Sequence, residues 1–207
     1  MKLLIPARKN SKGIPYKNRM LFEHTARIIP DEYKQITYVF SDDEVVNSYA
    51  DEYGFSRFNR DDSSAQDEST TKDMMLDFCS NLEEDESIVM LYLTYPNRKW
   101  SDVSRAIDIF DSEGLSSLLC RQKLKQSPYL MMFELEDGRG EQIIKHNFSR
   151  RQDYRKCFEI SHCISIINKS ELQNLNNDLY NKDTYFMEIE DQLDIDFPED
   201  IKCLRKL

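Results

Sequence analysis

Short apolar runs that alternate with helical patterns constrain the fold of this chain more than any other feature. Residues 3–5, 36–40 and 88–93 are largely apolar or β-branched, and each run is short enough to form one buried strand. Residues 103–110 repeat apolar side chains at the spacing of a buried helix face. This alternation predicts an α/β domain with a mostly parallel mixed sheet and helices on both faces.

Charge and cysteine content argue against several functional classes. With 28 Lys and Arg against 38 Asp and Glu, the 207-residue chain has a net charge of −10, which is unfavourable for nucleic-acid binding. No apolar run approaches the roughly 18 residues of a membrane span, and Met1-Lys2 leads directly into a strand without a signal peptide. The five cysteines lack zinc-binding spacing. We therefore expect reduced thiols, a cytoplasmic location, and no nucleic-acid or membrane partner.

The loop after the first strand concentrates positive charge around small residues. Its cations are Arg8, Lys9, Lys12 and Lys17. Gly13 can take a backbone conformation closed to other residues, which lets a loop fold tightly around an anion. The spacing matches neither the P-loop nor the dinucleotide-binding fingerprint. From these residues alone both a solvated turn and a phosphate site remain open, and the turn is the commoner of the two.

The same loop resembles the signature of the acylneuraminate cytidylyltransferases, the CMP-sialic acid synthetase family. That signature is a strand followed by Ala-Arg-x-x-Ser-Lys-Gly-(Ile/Leu)-Pro-x-Lys-Asn, and nine positions of this chain fit it: Ala7, Arg8, Ser11, Lys12, Gly13, Ile14, Pro15, Lys17 and Asn18. Weaker resemblance continues along nearly the whole chain. It implies a Rossmann-like nucleotidyltransferase sheet, a single domain over residues 1–207, and a homodimer with a small dimerisation arm at about 125–165.

The resemblance also implies the roles of the nucleotide-binding residues. Arg8, Lys12 and Lys17 would neutralise charge on the phosphates during catalysis. Ala7, Ser11 and Gly13 would shape the nucleotide loop, and Asn18 would hydrogen-bond the ribose. Arg60 would contact cytosine, because it stands seven residues before Asp67 as the family arginine does. Ser69 and Thr71 would line the base pocket.

The acceptor side departs most from the family pattern. The resemblance assigns Tyr92, Thr94, Arg151, Gln152 and Glu159 to the acceptor, with Tyr92 in place of a glutamine and Glu159 in place of an arginine. A carboxylate near the bound acid would disfavour a strongly anionic acceptor. We therefore expect poor turnover of N-acetylneuraminate and better turnover of a sugar acid with a different tail.

Two aspartates near the C-terminus are candidate metal ligands. Asp194 and Asp196 stand two residues apart on an extended segment, so their carboxylates point the same way. Such a pair can hold a hard cation, Mg²⁺ or Mn²⁺, although an acidic turn is the simpler explanation of these residues alone. The family has Asp-Ile-Asp at this point, and the resemblance favours the metal site.

The implied reaction joins CTP to a nonulosonate-like sugar acid, giving a CMP-sugar and pyrophosphate. Two alternatives stay open: a cytidylyltransferase for a different acidic acceptor, and a non-catalytic homologue that binds nucleotide.

Several local features are also expected from the residues. Residues 24–33 should form the only helix before the second strand, broken by Pro30. Ser41 should be the N-cap of a helix over residues 43–53, with Asp42 and Asp43 in capping rather than catalytic roles. His162 is expected to be structural, as histidines before an alternating strand more often are.

Overall fold

The computed structural model of the chain describes residues 1–11, 13–60, 69–83 and 85–204; Lys12 and Asp67 lie outside these ranges. The strands are β1 (Lys2–Ala7), β2 (Thr37–Ser41), β3 (Ser56–Asn59), β4 (Ser87–Met90), β5 (Ser117–Lys123), β6 (Met132–Glu134), β7 (Gly140–Gln142), β8 (Phe158–Asn168) and β9 (Tyr185–Glu188). The α-helices are α1 (Lys17–Ala26), α2 (Asp31–Lys34), α3 (Glu44–Tyr53), α4 (Thr71–Ser80), α5 (Trp100–Ser112) and α6 (Ile201–Leu204). Short 3-10 turns cover Pro128–Leu130, Arg151–Asp153 and Lys169–Asn174.

Seven strands form one mixed sheet in the order β3-β2-β1-β4-β8-β5-β9. The first four strands of this order are parallel, and β5 and β9 are parallel to each other. Strand β8 runs antiparallel between β4 and β5. The predicted mostly parallel mixed sheet is therefore confirmed.

Alternate side chains of the central strands enter two separate cores. Leu3 and Ile5 pack on the face covered by α1, α3 and α5, while Leu4 packs on the face covered by α4. All three side chains are fully buried. The predicted helices on both faces are confirmed. No helix among the described residues is long and apolar enough to cross a membrane.

Helix α1 begins earlier than expected, inside the signature itself. Its buried face carries Leu21, Phe22 and Ala26, so the residues before His24 also have a helical apolar pattern. The helix ends at Ala26, and Pro30 only precedes the short α2. The expected Pro30-broken helix over residues 24–33 is wrong, and the first turn of α1 instead presents Lys17 toward the ends of the strands.

Helix α3 is capped by Asp43, not by Ser41. The Asp43 carboxylate accepts a hydrogen bond from the Val45 N–H at 3.1 Å, as an N-cap side chain does. The Ser41 hydroxyl accepts from the Asp43 N–H at 3.0 Å and donates to the Ala7 carbonyl. Ser41 therefore ties the ends of β1 and β2 together, one step before the cap.

Only part of the segment expected to form an arm, at about 125–165, lies outside the central sheet. Strands β6 and β7 pair only with each other, whereas residues 158–165 belong to β8 in the central sheet. At the base of the arm, Tyr129 stacks on Tyr154 with ring centroids 4.7 Å apart, and the His146 ring packs against both. Residues 158–165 belong to the central sheet because β8 begins at Phe158, before the alternating segment at Cys163, and most of its residues from 161 to 167 are buried.

Candidate active site

A cavity of about 300 Å³ opens where the carboxyl ends of β1 and β4 face the N-terminal turns of α1 and α4. This is the edge at which open α/β sheets bind ligands. Nine predicted site residues line it: Arg8, Ser11, Lys17, Asn18, Arg60, Ser69, Thr71, Tyr92 and Thr94. Pro6, Thr70 and Met74 complete the lining. The structure thus brings together residues from five separate parts of the sequence.

Two hydrogen bonds to the backbone of the basic loop hold it against its neighbours. The Asn18 amide nitrogen donates to the Arg8 carbonyl at 2.8 Å, so Asn18 pins the loop to the first turn of α1. The Lys9 N–H donates to the Asp42 carboxylate at 2.7 Å and pins the loop to the end of β2. The resemblance implies that Asn18 hydrogen-bonds the ribose. In this structure its amide nitrogen binds the backbone of the basic loop.

Gly13 is needed for close packing rather than for an unusual backbone conformation. A Cβ on Gly13 would lie 2.4 Å from the Asp196 carbonyl oxygen, closer than real side chains come. Its φ is not in the left-handed region, unlike that of Tyr16 at 56°. The expected reason for this glycine is therefore corrected: it lets the aspartate segment lie directly on the basic loop.

Lys17 joins the signature to that same segment. Its ammonium lies 2.8 Å from Asp196 Oδ1 and 2.7 Å from the Ile195 carbonyl oxygen, and the residue is 8% exposed. The resemblance implies a role for Lys17 at the phosphates. In this structure Lys17 lines the cavity, and its ammonium also contacts the aspartate segment.

Asp194 stands two residues before Asp196, next to Ile195, whose N–H donates to the Thr94 carbonyl just beyond β4 at 2.9 Å. Burial raises the pKa of Asp194, and the nearby charge of Asp196 adds to the rise. The Thr94 and Tyr95 hydroxyls act to lower the pKa of its carboxyl group. Two carboxylates near enough for the charge of Asp196 to act on Asp194 form a donor set suited to a hard cation.

The metal-site hypothesis fits this donor set without a third protein ligand. Among the described residues, no three His, Cys, Asp or Glu side chains group closely enough to hold a metal ion. Mg²⁺ in phosphoryl-transfer sites is commonly bound by one or two carboxylates together with substrate phosphates and waters. Asp194 and Asp196 meet that requirement as far as the protein's own ligands are concerned.

Arg60 approaches the cavity from the end of β3. Its guanidinium lies 5.9 Å from the centre of the Phe40 ring. Burial lowers the pKa of Arg60, while the charge of Asp42 and the Tyr92 hydroxyl act to raise it. An arginine stays charged under such a shift, so Arg60 presents a half-buried cation to the cavity.

Three predicted acceptor residues lie away from this cavity within the single chain. Arg151, Gln152 and Glu159 are all exposed. Arg151 lines a separate groove with Lys125 and Arg155, whereas the Glu159 carboxylate is 3.4 Å from the Gln122 amide nitrogen on β5. The structure therefore does not place at the cavity the Glu159 carboxylate, which stands where the family pattern has an arginine.

Some residues at or near the site were not indicated by the resemblance. Tyr95 is 7% exposed, and burial together with the nearby charge of Asp194 raises the pKa of its hydroxyl. Thr70 caps α4 in a capping box with Asp73, a Thr-x-x-Asp pattern that is recognisable in the sequence. Arg19 forms an ion pair with Asp43 that ties α1 to α3, and nothing in the residue order of α1 indicates this partner.

The fold is that of the Rossmann-like nucleotidyltransferases. The solved structure of CMP:2-keto-3-deoxy-manno-octonic acid synthetase complexed with CTP superimposes with a TM-score of 0.69 at 15% identity, covering 99% of this chain and 96% of that one. A Mycobacterium tuberculosis H37Rv protein crystallised with manganese superimposes with a TM-score of 0.53 at 10% identity, covering 100% of this chain and 99% of that one.

Sequence relatives confirm the resemblance seen in the signature. The chain is 28% identical over 176 residues to the N-acylneuraminate cytidylyltransferase of Streptococcus agalactiae serotype V, covering 80% of this chain and 43% of that protein. It therefore spans less than half the length of this relative. It is 24% identical over 202 residues to the post-translational flagellin modification protein B of Campylobacter coli, covering 94% of this chain and 80% of that protein. No protein-family model matches the chain.

Proposed function

We propose that this chain is a CTP-dependent cytidylyltransferase that transfers CMP to a nonulosonate-like sugar acid and releases pyrophosphate. One observation carries the proposal: the signature segment and the aspartate segment, about 180 residues apart, are in contact through Gly13 and through Lys17, which itself lines the cavity. Relatives named for this activity support it.

In the proposed reaction the acceptor's anomeric hydroxyl attacks the α-phosphorus while the bond to the pyrophosphate oxygen breaks. Little covalent chemistry is required of the protein, so positioning and charge stabilisation dominate. Arg8, and Lys12 beyond the described residues, would neutralise charge on the phosphates. Lys17 would keep the aspartate segment in place against the loop, as its two hydrogen bonds do in this structure.

Asp194 and Asp196 would hold Mg²⁺ or Mn²⁺. A bound cation would supply positive charge beside the phosphates and relieve the repulsion between the two carboxylates. The neighbour crystallised with manganese supports the choice of a divalent ion. The Thr94 and Tyr95 hydroxyls would orient Asp194 for this purpose.

The acceptor is proposed to bind between the cavity and the arm. Lys125, Arg151 and Arg155 line a groove of about 600 Å³ that includes no acidic residue. Such a groove attracts a carboxylate in a chain that is otherwise acidic. Gln152 lies on the same short turn as Arg151. Because Glu159 is not among the lining residues, a strongly anionic acceptor remains compatible with the site.

We expect CTP to be consumed in preference to UTP, ATP and GTP, and Arg60→Ala to raise the KM for CTP. Loss of a charge-assisted hydrogen bond costs about 1.5–3 kcal/mol, so the rise should be roughly 10- to 100-fold. Pyrophosphate release with a panel of sugar acids measures both. Arg57→Ala is the matched control, because Arg57 is an exposed arginine on β3. Equal turnover of ATP or GTP would contradict the assignment, and CTP binding without any product would favour the non-catalytic alternative.

A homodimer formed through the arm is the second part of the proposal. The hairpin exposes large apolar side chains, with Met132 66% and Phe133 58% accessible. We expect the wild-type protein to sediment as a dimer and Phe133→Glu as a monomer, because an apolar contact would then bury a charge. Tyr185→Glu, on β9 outside the hairpin, is the control. A wild-type monomer at micromolar concentration, or a dimeric Phe133→Glu, would contradict the arm's role.

A further inference from the structure

Tyr92 is fixed from three directions. Its phenolic oxygen lies 3.0 Å from the Thr71 hydroxyl, at the first turn of α4. Its carbonyl accepts a hydrogen bond from the guanidinium of Arg98, which is 3% exposed. Its ring meets the His162 ring edge-on, with centroids 6.3 Å apart at 90°. A side chain held in this way cannot move aside without breaking several contacts.

The position of Tyr92 differs from the one that the family pattern suggests. It lines the cavity with Arg60, Thr71 and Met74, the end where the resemblance places the base. Burial raises the pKa of the Tyr92 hydroxyl, and the nearby positive charge of Arg60 acts to lower it. Of the other acceptor candidates, Thr94 also lines this cavity, whereas the exposed Arg151, Gln152 and Glu159 do not. Tyr92 therefore stands at the nucleotide end of the site.

We propose that Tyr92 determines nucleotide specificity: its ring closes the base end of the cavity against two-ring bases, and its hydroxyl forms with Thr71 a pair that hydrogen-bonds a single-ring base. Only one of the two hydroxyl hydrogens is used between them. Among the described residues neither hydroxyl has another hydrogen-bond partner, so the other hydrogen and the remaining lone pairs can bind a ligand. The proposal rests on the proposed function insofar as it places a nucleotide in this cavity.

The test is equilibrium binding of CTP and ATP by calorimetry with Mg²⁺ and without any acceptor. Tyr92→Phe removes only the hydroxyl, so the Kd for CTP should rise roughly fivefold while ATP stays excluded, since one neutral hydrogen bond contributes about 1 kcal/mol. Tyr92→Ala removes the wall, and the Kd ratio of ATP to CTP should fall by at least about tenfold. Tyr185→Phe, an exposed tyrosine, is the matched control.

Thr71→Val tests the hydroxyl pair without disturbing the ring, and it keeps the proposal testable if Tyr92→Ala fails to fold. It should weaken CTP binding as much as Tyr92→Phe does, and the double variant should be no weaker than either single variant. Additive effects of the two substitutions would overturn the pair.

Unchanged nucleotide binding in Tyr92→Phe and Tyr92→Ala, together with a raised KM for the sugar acid, would overturn the inference and return Tyr92 to the acceptor side. In that case the proposed function would survive. A wild-type protein that binds no nucleotide would overturn both, so the two failures are distinguishable.

Discussion

Replacing either Asp194 or Asp196 by asparagine is expected to reduce cytidylyl transfer on the order of 100-fold while the fold stays intact. The asparagine keeps the shape of each side chain and removes one of the two charges that would hold the divalent ion. The rate of pyrophosphate release at low and high Mg²⁺ measures the loss. Asp191→Asn is the control, because it removes an exposed charge a few residues earlier in the same segment.

The two variants should differ in stability even though both lose activity. The pKa of Asp194 is raised mainly by burial, so the folded state binds its proton more tightly than the unfolded state does. Stability associated with this group is therefore lost as the pH rises past the ordinary aspartate range, and the amount is small because the residue is still exposed to solvent. Asp194→Asn should keep or raise the Tm. Asp196→Asn removes the ion pair with Lys17 and should lower it.

Binding of Mn²⁺ to the protein without substrates provides a readout apart from activity. Each variant should bind Mn²⁺ more weakly than wild type in a paramagnetic-resonance titration, since a carboxylate ligand is lost. An undiminished rate at low Mg²⁺ in both variants would remove the metal site. A large fall in the Tm of both, with activity per folded molecule preserved, would instead favour the acidic turn.

The sequence allowed the sheet and the main site residues to be predicted, because both depend on local patterns. Apolar runs located β1, β2 and β4, and the signature located the cavity loop. Contacts between distant segments were beyond such patterns. The close approach of Gly13 to Asp196 depends on how the C-terminal segment crosses the sheet edge. No spacing within either motif contains that information.

The acceptor residues show what a family pattern leaves out when it is transferred by position. Tyr92 occupies the place of an acceptor-binding glutamine, but its longer side chain reaches Thr71 on α4. Glu159 occupies the place of an arginine, but it lies on the exposed part of β8 beside Gln122. In both cases the substitution changed the reach or the partner of the side chain, which the alignment of letters does not record.

The Asp43–Arg19 pair should have the largest effect on stability of any contact near the site. Asp43 is 2% exposed, and Arg19 binds both of its oxygens, at 2.7 and 2.9 Å. Asp43→Ala removes the cap of α3, at about 1 kcal/mol, and charged hydrogen bonds of about 1.5–3 kcal/mol. A loss near 3 kcal/mol corresponds to a fall in Tm of roughly 6–12 °C for a chain of this size. Thermal unfolding followed by circular dichroism measures it.

The pH dependence of that loss separates the charge from the cap. Burial acts to raise the pKa of Asp43, but the hydrogen bonds from Arg19 and the Val45 N–H prevail and lower it. Its stabilisation is therefore fully present above the ordinary aspartate pKa, about 4, and is lost as the pH falls below it. Asp43→Asn keeps a capping oxygen and should differ from wild type at pH 7, with the difference shrinking as the pH falls below about 4.

Asp51→Asn is the matched control for the pair, because Asp51 lies on the same helix and pairs with Arg57 at 3.3 Å between two well-exposed side chains. Exposed pairs contribute at most about 1 kcal/mol, so its Tm should stay near that of wild type. Arg19→Lys should have a lower Tm than wild type although the positive charge is kept, because an ammonium cannot bind both carboxylate oxygens as a planar guanidinium does. If Asp43→Asn and Asp51→Asn were equally mild at pH 7, the buried pair would contribute little, and the position of α1 would depend on its apolar face alone.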